Sequence, residues 1–548
     1  MELTRAGVAP NTGAAAVAGA IRRGEITARS AVEACIQRIE EVDPLVNAVV
    51  QRRFDLARAE ADRADAELAA GREPGPLHGV PITVKDQWRV RGLATTLGLA
   101  QRRDRIEDSD GPLVARLRRA GAIVLGKTNV SQLLLQNDAD NPAFGRTNNP
   151  WDLNRSPGGS SGGEAAVIAY GGSSLGLGGD MGGSIRTPGA FCGVTGLKPT
   201  ANRLSMLDKP GELFSAQEAI VPQPGPIAAN VEDLVLAMRV LAAPGQEAFD
   251  QGLPPVPWVD PPSSRPLRVG WFEDNGFFSP SPAIRRAIRE AAAGLSGAGH
   301  EVVEIRAPDG EPVTRLMVQL IGAGGLRTER RATRGEKLVP ALRQNFLAAS
   351  LPVPLKWVVG AGMRSAGQVR IARLVACPIP VTPHEYFQRL EDRRRLRAEL
   401  MAAWDEAGID VVLCPTYGLV ATPHGTAVDF FDAGSYVYLA NLLGLPAGTV
   451  PVTRVQSGEE SDRVAGRDRV DRLACRAERG TAGLPVGVQV IGRAWREDLV
   501  LAAMAEIERA ARSAGSSPRL PATPNDTDYE SGGRSMGESS AGARGAAR

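Results

Sequence analysis

The chain of 548 residues carries 64 basic and 62 acidic side chains, for a formal net charge of +2. This balance gives no indication of a nucleic-acid partner or of an acidic binding surface. The cysteines lie far apart without a C-x-x-C pair, which argues against a metal site and favours a reducing compartment. The five are Cys35, Cys192, Cys377, Cys414 and Cys475.

The N-terminal segment 1–25 has no basic region followed by an unbroken apolar run, so it does not resemble a secretory signal. No stretch of about 18 apolar residues occurs, and the sequence therefore predicts no membrane-spanning segment. We expect a cytoplasmic protein.

Helical and strand patterns alternate through the N-terminal part of the chain. Helices place apolar residues at three- and four-residue spacing, whereas strands alternate apolar and polar residues. The predicted helices cover 14–40, 52–70 and 112–120, and the predicted strands cover 78–90 and 122–127. Within 14–40, Gly24 predicts a break and Thr27 a helix cap. This alternation favours an α/β fold with a mixed β-sheet core flanked by helices.

The same alternation returns after residue 230. Helices are predicted over 230–242, 283–297, 383–407, 436–443 and 496–511, and strands over 267–271, 300–305, 410–414, 447–452 and 486–491. We therefore expect a single domain over 1–514.

Three segments depart from the alternation. Residues 311–385 include an apolar stretch, 338–363, in which three prolines exclude one straight helix. Two short helices forming a lid or a membrane-facing cap would fit, and so would an ordinary helical insertion packed on the core. Residues 459–479 are dense in Arg, Asp and Glu and predict a charged surface insertion. Residues 515–548 are rich in Ser, Gly and Pro, which predicts a disordered tail.

Two serines lie among glycines within 156–200, Ser160 in GGSSGG and Ser184 in GGDMGGSIR. Glycine loses more conformational entropy on folding than any other residue, so this density indicates a backbone that needs left-handed angles or close approach. Between the serines, 165–169 predicts a short buried helix and 175–178 predicts a strand. We therefore expect the two serines on two converging loops.

One interpretation makes Ser160 the nucleophile of a Ser-His-Asp hydrolase, because GGSSG at 158–162 matches the G-x-S-x-G elbow. An elbow needs a strand directly before the serine, whereas the preceding NNPWDLNRSP is typical of turns. Three histidines follow Ser160, and only the last, in a TPHGT turn, has a distinctive setting: His300, His384 and His424.

Without a histidine base, a serine nucleophile needs another proton acceptor, and a buried lysine can serve. No S-x-x-K spacing occurs, so the lysine must come from elsewhere in the chain. Lys85 is the candidate because it ends an otherwise apolar strand, although most lysines at strand ends are solvated. The glycines of 179–184 expose backbone N–H groups before a predicted helix, as an oxyanion hole requires, although a tight turn would also account for them.

These residues resemble the amidase signature family of hydrolases. GVPITVKD at 79–86, SPGGSSGGEAA at 156–166 and GGDMGGSIRTP at 178–188 match that family's three catalytic segments, in its order and with similar gaps. The resemblance spans residues 10–511, and it implies a single amidase signature domain.

The resemblance also implies a Ser-cis-Ser-Lys triad that cleaves amides through an acyl-enzyme. Ser184 would be the nucleophile, Ser160 the cis-serine that relays protons, and Lys85 the base. The oxyanion hole would be formed by the backbone N–H groups of Met181, Gly182, Gly183 and Ser184, with Asp180, Arg186 and Ser161 supporting the loop. Gly179 departs from the family, which usually has Thr or Ser there, so we expect one hydrogen bond beside the site to be lost or replaced.

Within the family, 128–164, 190–205 and 435–453 look most like the fatty acid amide hydrolase branch. That branch hydrolyses amides and some esters of long acyl chains, and it docks on membranes through an apolar cap, where 338–363 would lie. The resemblance implies a small-molecule amide substrate, no metal or cofactor, peripheral membrane contact and a homodimer as one assembly. The alternatives are a broad aryl-acylamidase or urethanase and a non-catalytic amidotransferase-like subunit.

Overall fold

Eleven strands form one continuous mixed sheet in the computed structural model, which describes residues 12–207 and 218–518. The strands of the described chain are β1 (Val49–Arg52), β2 (Pro81–Lys85), β3 (Ile123–Thr128), β4 (Asp140–Asn141), β5 (Gly145–Arg146), β6 (Leu175–Asp180), β7 (Thr195–Lys198), β8 (Gln223–Ala228), β9 (Arg268–Trp271), β10 (Glu301–Glu304), β11 (Val411–Pro415), β12 (Ala447–Arg454) and β13 (Pro485–Gly492). The sheet order is β1-β3-β2-β6-β8-β7-β12-β13-β11-β9-β10, and β4 pairs only with β5.

Helices flank this sheet along its whole length. They are α1 (Ala14–Arg22), α2 (Ala28–Val46), α3 (Phe54–Ala69), α4 (Pro112–Arg119), α5 (Gly162–Ala169), α6 (Arg186–Cys192), α7 (Val231–Leu241), α8 (Pro282–Gly297), α9 (Gly310–Ile321), α10 (Arg327–Ala332), α11 (Pro340–Ser350), α12 (Val353–Ser365), α13 (Val369–Val375), α14 (Pro383–Glu406), α15 (Ser435–Leu443), α16 (Arg469–Glu478) and α17 (Glu497–Ser513). The predicted α/β class with a mixed sheet is confirmed.

The strand that carries Lys85 lies inside the sheet. β2 runs parallel to both of its neighbours, β3 and β6, and all five of its residues are buried. Strands with neighbours on both sides and helices over their faces read as continuous apolar runs, and the apolar residues of β2 follow that rule. The buried position of β2 carries Lys85 into the interior.

Local capping accounts for the start of α2. The Thr27 hydroxyl accepts a hydrogen bond from the Ser30 N–H at 3.0 Å, and the Ser30 hydroxyl accepts one from the Thr27 N–H at 3.1 Å. This reciprocal pair satisfies two donors at the helix start. The break predicted at Gly24 and the cap predicted at Thr27 are therefore confirmed, because the chain turns at Gly24, where φ is +68°, between α1 and α2.

The segment 459–479, predicted as a charged surface insertion, packs on the core through its second half. Residues 469–478 form α16, and its Val470 and Ala474 side chains are buried in the main core. The apolar residues are few but recur every three or four positions, so they form one buried stripe on a charged helix. The charged composition of the segment does not reveal this apolar spacing.

The segment 311–385 consists of helices, and two of them form a sharp corner. α11 and α12 meet at an angle of 114°. Within the described residues, no single helix is long and apolar enough to cross a membrane, whereas this bent pair reaches the length and composition when both helices are taken together. Most of the predicted tail lies outside the described residues, although the Ser516 hydroxyl donates to the Val452 carbonyl at 2.9 Å.

Candidate active site

Lys85 lies at the C-terminal end of β2 with its side chain fully buried. Its Nζ donates to the Ser160 hydroxyl at 2.8 Å and to the Gly179 carbonyl at 3.0 Å. These contacts join a strand, the first serine loop and the end of β6. The structure therefore brings Lys85 and Ser160 together, although 75 positions separate them in sequence.

Burial decides the protonation state of Lys85. Removal from water lowers the pKa of its ammonium from 10.5 to about 7, although the carboxyl groups of Asp180 and Glu164 oppose this shift. Near neutral pH, a large fraction of the amine is therefore unprotonated and able to accept a proton.

Glycines let the Ser160 loop pass close to the backbone of a neighbouring loop. Gly158 has a φ of +78°, and a Cβ added at Gly159 would lie 2.2 Å from the Asp138 carbonyl oxygen. No side chain could fit at the second position without moving the backbone. The peptide bond between Gly159 and Ser160 is cis, and Ser160 itself is buried.

Ser184 lies on the turn between β6 and α6. The neighbouring Gly183 has a φ of +97°, which favours glycine. The two serine loops touch, because the Ser161 N–H donates to the Ser184 carbonyl at 3.2 Å. Ser184 is 8% exposed, and its hydroxyl has no hydrogen-bond partner in the part of the chain that the structure describes. The hydroxyl is therefore available for a substrate or for Ser160.

A buried ion pair holds the Ser184 turn. The Arg186 Nε donates to the Asp180 Oδ2 at 3.0 Å, and both side chains are fully buried. Burial favours the neutral acid, but Arg186, together with Lys198 and Asn441, outweighs burial and holds the pKa of Asp180 well below its usual range. Asp180 also accepts from the backbone N–H groups of Gly183 at 2.8 Å and Ile185 at 3.2 Å.

These contacts narrow the predicted oxyanion hole. The Gly183 N–H is directed to the Asp180 carboxylate and is not available to a substrate oxygen. The backbone N–H groups of Met181, Gly182 and Ser184 form no hydrogen bond with any described residue. Three of the four predicted donors therefore remain free.

The comparison with known families decides which enzymes these loops belong to. The family model described as "Amidase" matches residues 30–501, which include 79–86, 156–166 and 178–188, the three segments that resemble the family's catalytic segments. The chain belongs to the amidase signature family. It is a hydrolase that acts on amide bonds.

The similar proteins are of two kinds, fatty acid amide hydrolases and amidotransferase subunits. Fatty-acid amide hydrolase 1 of Sus scrofa is 34% identical over 506 residues, covering 89% of this chain and 84% of the relative. A glutamyl-tRNA(Gln) amidotransferase subunit of Synechococcus sp. (strain CC9605) is 30% identical over 524 residues, covering 92% and 97%. A solved structure of a fatty acid amide hydrolase superimposes with a TM-score of 0.77 at 27% identity, covering 91% of this chain and 85% of that one.

The histidine-based alternative finds no support in the geometry. His424 hydrogen-bonds the Leu153 carbonyl at 3.1 Å, and His300 accepts from the Leu267 N–H at 3.1 Å. Within the described chain, no histidine hydrogen-bonds Ser160 or Ser184. The amidase therefore lacks the Ser–His contact that the elbow interpretation needs.

Sequence reasoning missed two residues that complete the loop support. The Asn441 amide on α15 donates to Asp180 at 2.9 Å, and its oxygen accepts from Arg186 at 2.5 Å. Gln489 on β13 accepts from Arg186 as well, and it donates to the Tyr436 carbonyl at 3.1 Å. Asn441 lies in the stretch 435–453 that resembles the fatty acid amide hydrolase branch, but nothing in that stretch marks it as a partner of Arg186, and no motif marks Gln489.

It also missed a buried carboxyl group beside the base. Glu164 on α5 accepts from the Thr83 hydroxyl at 2.7 Å and from the Thr128 hydroxyl at 2.8 Å. Burial raises the pKa of Glu164 to about 8, although both threonines and Lys85 oppose the shift. Because this carboxyl is largely neutral near pH 7, it does little to stabilise the ammonium form of Lys85.

Proposed function

We propose that this amidase hydrolyses amides of apolar or fatty acyl groups through Ser184, Ser160 and Lys85, with an acyl-enzyme intermediate. The observation that carries the proposal is the 2.8 Å hydrogen bond between the Lys85 Nζ and the Ser160 hydroxyl, at a lysine whose pKa burial lowers to about 7. A neutral amine there can accept a proton that Ser160 passes on.

In the first half-reaction, the Ser184 Oγ attacks the amide carbon while Ser160 takes its proton and gives its own to Lys85. The carbonyl oxygen becomes an oxyanion and accepts hydrogen bonds from the free N–H groups of Met181, Gly182 and Ser184. The C–N bond then breaks as Lys85 returns the proton, through Ser160, to the leaving amine. Water hydrolyses the acyl-enzyme by the same relay.

Apolar side chains beside the nucleophile turn support an apolar acyl group. Met181 packs against the second core cluster, which includes Met317 and Tyr438. A Cβ added at Gly182 would lie 3.8 Å from both Met317 and Tyr438, so these side chains border the free N–H groups. The fatty-acid amide hydrolase relatives support the same substrate class.

The first test is labelling with a serine-reactive fluorophosphonate, followed by peptide mapping. We expect covalent label on the peptide that contains Ser184, and a rate of amide hydrolysis that rises with acyl-chain length. Label on Ser160 instead would contradict the proposed roles. A matched Ser161→Ala variant, which keeps both triad serines, should still be labelled.

An amidotransferase-like subunit is the second candidate, because the glutamyl-tRNA(Gln) amidotransferase relatives match over almost their whole length. Such a subunit would need partner chains and would not turn over an amide by itself. The lone chain is therefore assayed on a long-chain anilide. Turnover of the anilide by the lone chain supports the first proposal, and absence of turnover supports the second.

The proposal also includes peripheral membrane contact through the corner of α11 and α12. Leu347, Trp357 and Val358 on these helices are 67%, 59% and 68% exposed, which is unusual for side chains of this size.

The five cysteines are all unpaired and buried, which supports a reducing, cytoplasmic location.

A further inference from the structure

A cavity with a volume of about 870 Å³ lies at the corner between α11 and α12, beside α10. Four arginines line it, and no acidic side chain does. They are Arg327, Arg330, Arg331 and Arg334. The surrounding stretch 327–343 carries six basic residues against two acidic ones, whereas the whole chain is nearly neutral. Positive charge is therefore concentrated at this cavity.

One arginine of the four is fixed by the protein. The Arg330 guanidinium donates to the Phe346 carbonyl and to the Ser350 hydroxyl, both at 2.6 Å. The other three are exposed, and their side chains have no hydrogen bond or ion pair with any residue in 12–207 or 218–518. Guanidinium groups bind phosphate oxygens in a two-pronged geometry, so an unpaired group of three favours a phosphate-bearing ligand.

The other large side chains of the cavity wall are apolar. They are Leu338, Phe346, Leu351 and Val353; Leu351 lies in the turn between α11 and α12, and Val353 begins α12. The exposed apolar residues of these helices continue from that turn. A ligand with a phosphate head and acyl chains matches both surfaces, whereas a soluble phosphate would leave the apolar wall in water.

We propose that this cavity binds the phosphate headgroup of an anionic phospholipid, while the exposed apolar side chains of α11 and α12 contact the acyl chains. The inference rests on the proposed membrane contact and adds a headgroup preference to it. Because α10 packs beside the apolar corner, lipid binding orients the cap on an anionic surface.

The test is sedimentation of the full chain with two kinds of vesicle, phosphatidylcholine alone and phosphatidylcholine with about 30% phosphatidylglycerol. We expect the wild type to bind the anionic vesicles at least about tenfold more tightly, since each basic residue near such a surface adds attraction. The variant Arg327→Gln/Arg331→Gln/Arg334→Gln should bind both vesicles equally, at the wild-type affinity for phosphatidylcholine.

The control variant removes the same charge elsewhere. Arg22→Gln/Arg63→Gln/Arg476→Gln neutralises three exposed arginines of α1, α3 and α16, and it should keep the wild-type preference. Loss of preference in this control would mean that only total charge matters and would overturn the proposal.

Three further outcomes would also overturn it. A wild type that binds both vesicles equally has no headgroup site, although binding to phosphatidylcholine would leave the membrane contact itself standing. Thermal stabilisation by glycerol phosphate without any vesicle preference would assign the cavity to a soluble phosphate. Absence of all vesicle binding would refute the membrane contact together with the lipid site.

Discussion

Activity should fall on the acid side of neutrality, because Lys85 must be neutral to accept a proton. Burial lowers its pKa from 10.5 to about 7, against the pull of Asp180 and Glu164. A solvated lysine would be neutral in about three of every 10⁴ molecules at pH 7, whereas about half of the Lys85 side chains are neutral. Burial therefore raises the reactive fraction by roughly three orders of magnitude.

The assay is kcat/KM on an uncharged long-chain anilide between pH 5 and pH 9, with substrate and product that do not titrate in this range. We expect half of the plateau value near pH 7 and about a tenfold loss at pH 6, with a slope of one. Circular dichroism across the series, and full recovery after return to pH 8, separate titration of the base from unfolding.

Two results would refute the reasoning. A plateau that extends to pH 5 would indicate a carboxylate base, and a rate that still rises tenfold per pH unit up to pH 9 would indicate a solvated lysine. The lowered pKa of Lys85 also makes the stability of the fold depend on pH. Between pH 7 and pH 10.5 the unfolded chain binds a proton at Lys85 that the folded chain lacks, so stability from this residue rises with pH across that window.

The nucleophile, its loop and the core beside the base each give a variant with a distinct outcome. Ser184→Ala should abolish turnover and fluorophosphonate labelling, and near-full activity would reassign the nucleophile. Asn441→Ala should lower kcat by about 10- to 100-fold with little change in KM, because the loop that presents the N–H groups loses a clamp; steady-state kinetics with an unchanged kcat would contradict this. Lys127→Met leaves its buried partner Asp86 without a counter-charge, and urea denaturation should show a loss of about 3–5 kcal/mol in the free energy of unfolding; a loss below about 1 kcal/mol would contradict it. Removal of 519–548 should change the melting temperature by less than about 2 °C, and a larger drop in calorimetry would show that this segment packs.

The α/β class and the positions of most helices and strands were predictable, because binary patterning is a local property. The strand pattern over 78–90 and its lysine led to β2 and Lys85 in this way. β7 and β8 escaped prediction, since their Gly and Pro content is typical of turns. β8 contains two prolines and yet pairs with β6 over six residues, because its buried position lets neighbouring strands override local preference.

The residues of the site that lie on the two glycine-rich loops were predictable from the sequence. Ser160 and Ser184 stand in short glycine-rich motifs whose local geometry the sequence encodes. Asn441 and Gln489 approach Arg186 from more than 250 positions away, and an asparagine or glutamine inside an apolar stretch carries no mark of its partner. Such contacts follow only from the order of strands and helices in the assembled sheet.

Gly179 shows why a departure from the family pattern need not disable the base. A Cβ added there would lie 2.7 Å from the Gln87 Oε1 and 2.8 Å from its Nε2, so the Gln87 side chain fills the volume that Thr or Ser would occupy. The acceptor that anchors Lys85 is the Gly179 main-chain carbonyl, and the Trp88 indole holds the preceding carbonyl of Gly178 at 3.0 Å. Because a backbone carbonyl is present whatever residue stands at 179, the exchange alters what lies beside the base while the hydrogen bond that orients it is kept.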